Sequence, residues 1–298
     1  MQRSYRRITS AVMGLALVGL ILAPGAKASP PEIRPKHAHG VRGQAKPNRN
    51  GGGNGISYHN GRILGTTKVV EIFYGGQWTT PAKTLVHDFD TSLGGSAYYN
   101  INTTYTGLNG ARVVNAVNVV GSIDDAGSQG LALSDAGVRA VVAHAISTSG
   151  ITNDSSTVWM VLGSRDVNLT SGYGTQYCGW HTYSTFNNVN NGYLATIDAA
   201  RAPSACEEQT TVSPNGNPGI DGMLSVVAHE IEETATDVNL NAWYDSRGYE
   251  NADKCAWTFG TTSTATNGSK YNVTLGTKNY LIQRNWVNAS GGYCSMSY

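Results

Sequence analysis

Charge is scarce in this sequence. Lys, Arg, Asp and Glu together make up 14% of the 298 residues and nearly cancel, leaving a net +1. That balance excludes a basic nucleic-acid binder and an acidic, solvating chain. Past residue 23 no apolar run is long enough to cross about 30 Å of hydrocarbon, which takes ~20 residues. No CxxC pair, phosphate-cradling glycine loop or Ser-His-Asp order stands out, so dithiol redox, nucleotide and serine-hydrolase chemistry have no carrier. Cysteine is limited to Cys178, Cys206, Cys255 and Cys294. In an oxidising compartment an even number points to disulfides, and four cysteines allow three pairings. Neighbour pairing, Cys178–Cys206 and Cys255–Cys294, closes the shortest loops and is the expected one. A four-cysteine zinc site is not expected, because the short spacings it uses are missing.

The first segment carries an address. Arg3, Arg6 and Arg7 precede an apolar run from Ala11 to Ala23, then Pro24-Gly25 and the small-x-small pattern Ala26-Lys27-Ala28. This is the layout of a cleavable signal peptide over residues 1–28, and it predicts a secreted, extracellular protein (apoplast or cell wall in a eukaryote). Residues 29–55 hold Pro30, Pro31, Pro35, Pro47 and Gly51-Gly52-Gly53 among basic residues, with almost no aliphatic side chains. Such a stretch cannot bury enough surface to offset the entropy of ordering, and it reads as a disordered basic arm, a linker or a pro-segment. Residues 56–298 are long enough for one globular domain.

Within that domain strands alternate with helices. Lys68–Tyr74 reads as a buried strand, and Thr80-Pro81 opens a helix to about Leu93. Arg112–Ile123 reads as a second strand, and Ser134-Asp135 caps a helix through Ile146. Val158–Leu162, Gly179–Phe186 and Tyr193–Asp198 follow as strands, then a long helix over Asp221–Asp237. The pattern is irregular beyond it. This predicts an α+β fold: a mixed sheet covered by helices, one long active-site helix, and an irregular disulfide-linked C-terminal region.

The long helix carries the chemistry. In Val226-Val227-Ala228-His229-Glu230-Ile231-Glu232-Glu233-Thr234-Ala235-Thr236-Asp237, a 100° step puts His229, Glu230, Glu233 and Asp237 in about one quadrant. Met223, Leu224, Val227, Ile231 and Val238 fall opposite. His229 and Glu233, one turn apart, can reach one ion. The stretch resembles the HExxH helix of zinc metallopeptidases, with Glu233 in place of the second His. The resemblance implies a zincin-like fold, Glu230 as general base, and zinc held by His229 and Glu233. The added carboxylate lowers the ion's Lewis acidity and makes the site more welcoming to calcium or manganese. A third ligand is sought in Trp243–Asp253. By resemblance to the gluzincin class, Glu250 takes that place and Asp253 orients His229; Asp237 and Asp245 compete, Asp237 otherwise lying just outside the ligand set. The plainer account is a solvated acidic face and an ion pair between His229 and Glu233. His181, three residues after Cys178 at a strand start, either faces a cleft or is hydrogen-bonded beside a disulfide, and the second is the expectation.

Other stretches carry a wider likeness: Gly163-Ser164-Arg165-Asp166-Val167 after a strand, Cys178-Gly179-Trp180-His181, Pro214-Asn215-Gly216-Asn217-Pro218-Gly219-Ile220-Asp221-Gly222-Met223, Lys270-Tyr271-Asn272 and Cys294. Their order from about Gly65 to Tyr298 resembles the EXORDIUM, or phosphate-induced protein, family of secreted proteins, here as a branch with a zincin-like helix. The plant members are linked to cell expansion and brassinosteroid-responsive growth, with no established enzyme activity. Two functions are therefore expected. The first is a secreted metal-binding hydrolase, a zincin-like metallopeptidase acting on a peptide or cell-wall-associated substrate. The alternative is a non-catalytic extracellular protein in cell-wall or growth-related signalling or binding. Neither involves nucleic acid or a membrane span, and the sequence leaves the oligomeric state open.

Overall fold

The computed structural model describes residues 37–40 and 55–298. The expected signal peptide at 1–28 and most of the 29–55 arm lie outside the described residues. Six strands form one sheet: β1 (His37–Gly40), β2 (Thr67–Tyr74), β3 (Val117–Asp125), β4 (Thr157–Gly163), β5 (Tyr177–Phe186) and β6 (Val189–Ile197). Their order is β1-β5-β6-β4-β2-β3. The four strands β6, β4, β2 and β3 run parallel, β5 turns back antiparallel on β6, and β1 lies antiparallel on β5. Three helices cover the sheet: α1 (Thr80–Leu93), α2 (Asp135–Thr148) and α3 (Pro218–Thr236).

The period-2 alternation of side chains divides the core in two. Val69, Phe73, Met160, Leu162 and Leu194 point to the face covered by α1 and α3. Val70, Ile72, Tyr74, Trp159, Val161, Trp180 and Tyr193 point to the face covered by α2. All seven residues of β4 are buried, as expected of a parallel strand packed on both sides. The expected α+β architecture with a mixed sheet is the one observed.

Local differences have local causes. The cap of α1 is Thr79 rather than Thr80; its Oγ1 accepts from the Ala82 N–H, and Pro81 sits in the first turn. Strand β3 starts at Val117, not at Arg112, because the preceding residues are bonded elsewhere: Val113 N–H donates to Tyr105 O and Val114 N–H to Gly65 O. Helix α3 begins at Pro218, capped by Asn217, whose Oδ1 accepts from the Ile220 N–H. The arm contributes strand β1, which its composition does not announce.

After α3 the chain makes only short antiparallel pairs, including Val273–Leu275 with Lys278–Tyr280 and Asn285–Val287 with Tyr293–Ser295. Both expected disulfides are present, Cys178–Cys206 spanning 28 residues and Cys255–Cys294 spanning 39. Loops of that size are worth about 3–4 kcal/mol each by chain entropy. The first ties the start of β5 to the segment leading into α3. The second ties the acidic stretch after α3 to the last strand.

One buried acid on α1 has no ion-pair partner among the described residues. Asp90 is fully buried. Burial, and then the facing Glu71 carboxylate on β2, hold it well above the usual carboxylate range. Glu71 itself accepts from His87 Nδ1 at 3.1 Å and from the Ser122 hydroxyl. An acid whose pKa is raised on folding costs nothing while protonated, and stability falls as pH climbs past its unfolded value of 3.8. Asp90→Asn is therefore expected to stabilise the fold at neutral pH by about 1–3 kcal/mol and to flatten its pH dependence above about pH 4. Urea unfolding of both proteins across that range checks it; an unchanged pH slope refutes it.

Candidate metal centre

Helix α3 is placed by what its first turns lack. A Cβ on Gly219 would stand 2.0 Å from Asp198 Oδ1, and one on Gly222 3.1 Å from Ala199 Cβ. These glycines let the helix dock against the Ala199–Arg201 turn, which follows β6 directly. The helix is buried along its whole length, from Gly219 to Thr236. Its polar quadrant is therefore not a solvated face. It is enclosed by β5 above and by the Asp245–Cys255 segment beside it.

Strand β5 brings His181 to that quadrant. His181 pairs with Leu194 in the register with β6 and lies on the α3 side, while its neighbour Trp180 points to the α2 side. Gly179, two residues earlier on the same face, leaves room for the helix: a Cβ there would meet Val226 Cγ1 at 2.4 Å and Glu230 Oε1 at 3.1 Å. The acidic segment is folded by its own carboxylates. Asp245 Oδ1 accepts from the N–H groups of Arg247 at 2.8 Å and Tyr249 at 3.1 Å, and Asp253 Oδ2 accepts from the Glu250 N–H at 3.2 Å. The Asp253 N–H in turn donates to Glu233 Oε1 at 3.0 Å, which docks the segment on the helix.

The result is a buried cluster of two imidazoles and five carboxyl groups: His181, His229, Glu230, Glu233, Asp237, Glu250 and Asp253. Asp253 is the most accessible of them at 8% exposure. His229 Nε2 lies 3.0 Å from Glu233 Oε1 and 3.6 Å from Asp253 Oδ1. His181 Nε2 lies 2.9 Å from Glu250 Oε2 and 3.6 Å from Glu233 Oε2. Two triads have ligand atoms within 4.8 Å of one another: His229–Glu233–Asp253 and His181–Glu230–Glu233. Glu233 belongs to both.

The electrostatics of this cluster are those of a site short of positive charge. Burial pushes Glu233 up to about 7, with Asp253 adding and His229 opposing. Burial pushes Asp237 up to about 6, although its Oδ1 accepts from the Asn241 and Ala242 N–H groups at 2.5 and 2.6 Å. Burial, then Glu233 and Asp237, hold Glu250 well above the ordinary range. At His229 burial opposes the charged form, yet Glu233, Asp253 and Glu230 outweigh it and raise the imidazole well above its usual pKa. The backbone adds to the deficit. Glu230 and Glu233 sit on the C-terminal half of α3 and Asp237 at its C-cap, the negative end of the helix dipole, and the last turn carries no basic residue. The ion-pair partners of Glu233 and Asp253 among the described residues are histidines.

The residues singled out in the sequence are thus gathered, in a different grouping from the expected one. Asp253, read as orienting His229, is itself in a triad with His229 and Glu233. Glu250, read as the third ligand beside them, instead bonds His181. Asp237 caps the turn after α3, and Asp245 pairs with Lys254 at 3.2 Å, outside the cluster. His181 is a full member of the cluster, not a histidine bonded only beside the disulfide; in the sequence it is marked by its place on the strand before the helix and in the Cys178-Gly179-Trp180-His181 element. Glu232 lies outside the polar quadrant of the helix. It points the other way, with Oε2 3.1 Å from the Tyr98 hydroxyl.

The chain belongs to the phosphate-induced protein family: the model of the phosphate-induced protein 1 conserved region matches residues 56–295. It is 28% identical over 280 residues to Protein EXORDIUM-like 3 of Arabidopsis thaliana, covering 80% of this chain and 82% of the relative. It is 26% identical over 217 residues to EXORDIUM-like 5 of the same plant, covering 63% of this chain and 59% of that protein. Against Protein EXORDIUM, also of Arabidopsis, identity is 22% over 232 residues, covering 66% and 70%. No solved structure matches the chain.

The closeness of β5 to α3 at the cluster is testable at Gly179. Gly179→Ala is expected to cost about 1–3 kcal/mol through overpacking against Val226 and Glu230. Gly65→Ala, where nothing lies within 4 Å, serves as the control. Chemical denaturation measures both, and equal stability of the two variants refutes the packing described.

Proposed function

We propose that this protein acts outside the cell as a binding or signalling member of its family, with one divalent cation holding the His–carboxylate cluster together. The observation that carries the cation is the pair of overlapping buried triads, His229–Glu233–Asp253 and His181–Glu230–Glu233, that meet at Glu233. Stripping five carboxyl groups of water without a cation costs several kcal/mol per charge or forces them to hold protons. A divalent ion, with the two imidazoles, offsets much of that charge at the negative end of α3.

The donor set favours zinc. Ligand bonds of about 2.0–2.2 Å in a tetrahedron put neighbouring donor atoms about 3.3–3.6 Å apart. The distances of 3.0 and 3.6 Å from His229 Nε2 to its two carboxylate neighbours are close to that. Imidazole nitrogen suits zinc or manganese better than calcium, which takes six to eight oxygens. His229, Glu233 and Asp253 are the ligands proposed, with His181, Glu230 and Glu250 closing the other side. The ion would pin the Asp245–Cys255 segment to α3, as a structural site does.

Secretion is supported by the two disulfides, which suit an oxidising compartment. The binding reading is supported by the names of the relatives, none of which states an enzyme activity, and by burial. A turnover site needs an open position for substrate, and here His229, Glu230, Glu233 and Glu250 are at most 1% exposed. A zincin-like peptidase with Glu230 as base is the second reading. It is favoured by one observation, that Glu230 shares a triad with His181 and Glu233.

Elemental analysis of the purified secreted protein tests the proposal. One divalent ion per chain is expected, lost in His229→Ala and in Glu233→Ala but kept in Glu230→Gln; less than about a tenth of an ion per chain in the wild type overturns it. Glu230→Gln also separates the two readings. Under the binding reading it leaves every phenotype intact, whereas under the hydrolase reading it abolishes peptide cleavage with metal still bound.

The pH dependence has a definite sign. With the ion chelated, Glu233 is held protonated up to about 7 and Asp237 up to about 6, so stability should fall as pH rises from their unfolded values of 4.5 and 3.8 towards those values and level off above them. Binding of the ion releases protons, so its affinity should rise over the same range. Melting temperatures in chelator and in excess zinc, compared between about pH 5 and 8, should diverge as pH increases; parallel curves refute the linkage.

A further inference from the structure

Strand β1 is the least expected element of the fold. Its four residues pair antiparallel with β5, His37 opposite His181 and His39 opposite Gly179, with the register slipping between His39 and Gly40. It lies along the outer side of β5, which would otherwise be the edge of the sheet, and its backbone also runs close to α3. The sequence on either side, 29–36 and 41–54, is rich in Pro, Gly and basic residues and has almost no apolar side chain. The arm therefore offers little apolar side chain to bury. The contact observed is main-chain pairing to a sheet edge, which any extended segment can supply.

We propose that the outer edge of β5 over Tyr177–His181 is a binding edge for an extended peptide, and that the arm strand His37–Gly40 is its built-in, displaceable occupant. The inference does not rest on the metal reading. The edge has its own chemical preference. Opposite residues of an antiparallel pair share a face, so positions 37 and 39 of the occupant belong to the face of His181 and Gly179. That face looks onto the carboxylates of α3. Gly179 presents no side chain, and Glu230 Oε1 lies 3.1 Å from where its Cβ would be. A segment with imidazole or basic side chains at alternate positions matches this surface, and the arm's own His37-Ala38-His39 has that pattern. An external partner is expected to be an extended segment of the same kind. The arm, tethered to the domain, competes with it at the high effective concentration that a short linker gives.

The experiment uses the full secreted chain and a labelled synthetic peptide covering residues 33–44. The variant carries Ala38→Pro and His39→Pro together. Adjacent strand residues alternate in the direction of their N–H, so one inward donor is lost whichever of the two supplies it. The peptide is expected to bind the variant at least tenfold more tightly than the wild type, by fluorescence polarisation. The amides of Tyr177–His181 should exchange faster in the variant and be protected again by the peptide. Absence of peptide binding to the variant, or equal binding to both proteins, overturns the proposal. A peptide carrying His37→Ala and His39→Ala should bind at least fivefold more weakly; equal affinity overturns the alternating preference.

Discussion

A helix that buries three acids at its negative end dictates most of what surrounds it. Glu230, Glu233 and Asp237 lie on the C-terminal half of α3 with no basic residue in the last turn. An ionised carboxylate in that position is opposed by the helix dipole and by the loss of water together. Every neighbouring element can be read as a response. Strand β5 supplies an imidazole, His229 supplies a second, and the segment after the helix turns back to donate the Asp253 N–H to Glu233. Yet that segment also brings Glu250 and Asp253, which deepen the charge deficit instead of relieving it. A structure that needed only to neutralise Glu233 would have used Lys or Arg. Under the proposed reading, the acids added around two histidines are the donors for a cation.

The supporting shell is built to keep this cluster in place. The first disulfide fixes the start of β5 against the lead into α3, and the second fixes the acidic segment to the final strand. Gly219 and Gly222 allow the helix to lie against the turn after β6, and Gly179 allows β5 to lie against the helix. On the far side Tyr98 reaches Glu232, so even the helical acid that points away from the cluster has a buried partner. These constraints come from four separate parts of the chain.

How much of this was legible in the sequence depends on what kind of signal each part carries. Helices α1 and α3 and strands β2, β4 and β5 have strong apolar periodicity or caps, and their limits fall within a few residues of the reading. The cluster on α3 is written in the i, i+4 spacing of one continuous stretch. The disulfide pairing followed from loop length. The failures were non-local. His181 reaches the site only because β5 reverses direction over the helix, which no spacing in the sequence states. Glu250 bonds His181 while Asp253 joins His229 and Glu233 in one triad, a division that the spacing within 245–253 does not state; Asp253 opens a turn of 3₁₀ type at Asp253–Cys255. Strand β1 has no apolar alternation to read; its conformation is lent by the edge it pairs with.

The two functional ideas meet on β5. One face of that strand carries His181 and Gly179 toward the acids, and its outer edge carries the pairing that holds β1. The strength of any charge in the cluster depends on how well water is kept out, since an interaction worth about 1 kcal/mol in water at 4 Å grows several-fold at a lower effective dielectric. An extended segment on the outer edge of β5 pairs with the strand that carries His181 and Gly179. Under the proposed exchange, that segment changes beside His181 without breaking a disulfide or unfolding a helix. On the proposed reading, the occupant of that edge is coupled to the buried charged site through β5, the strand that both share.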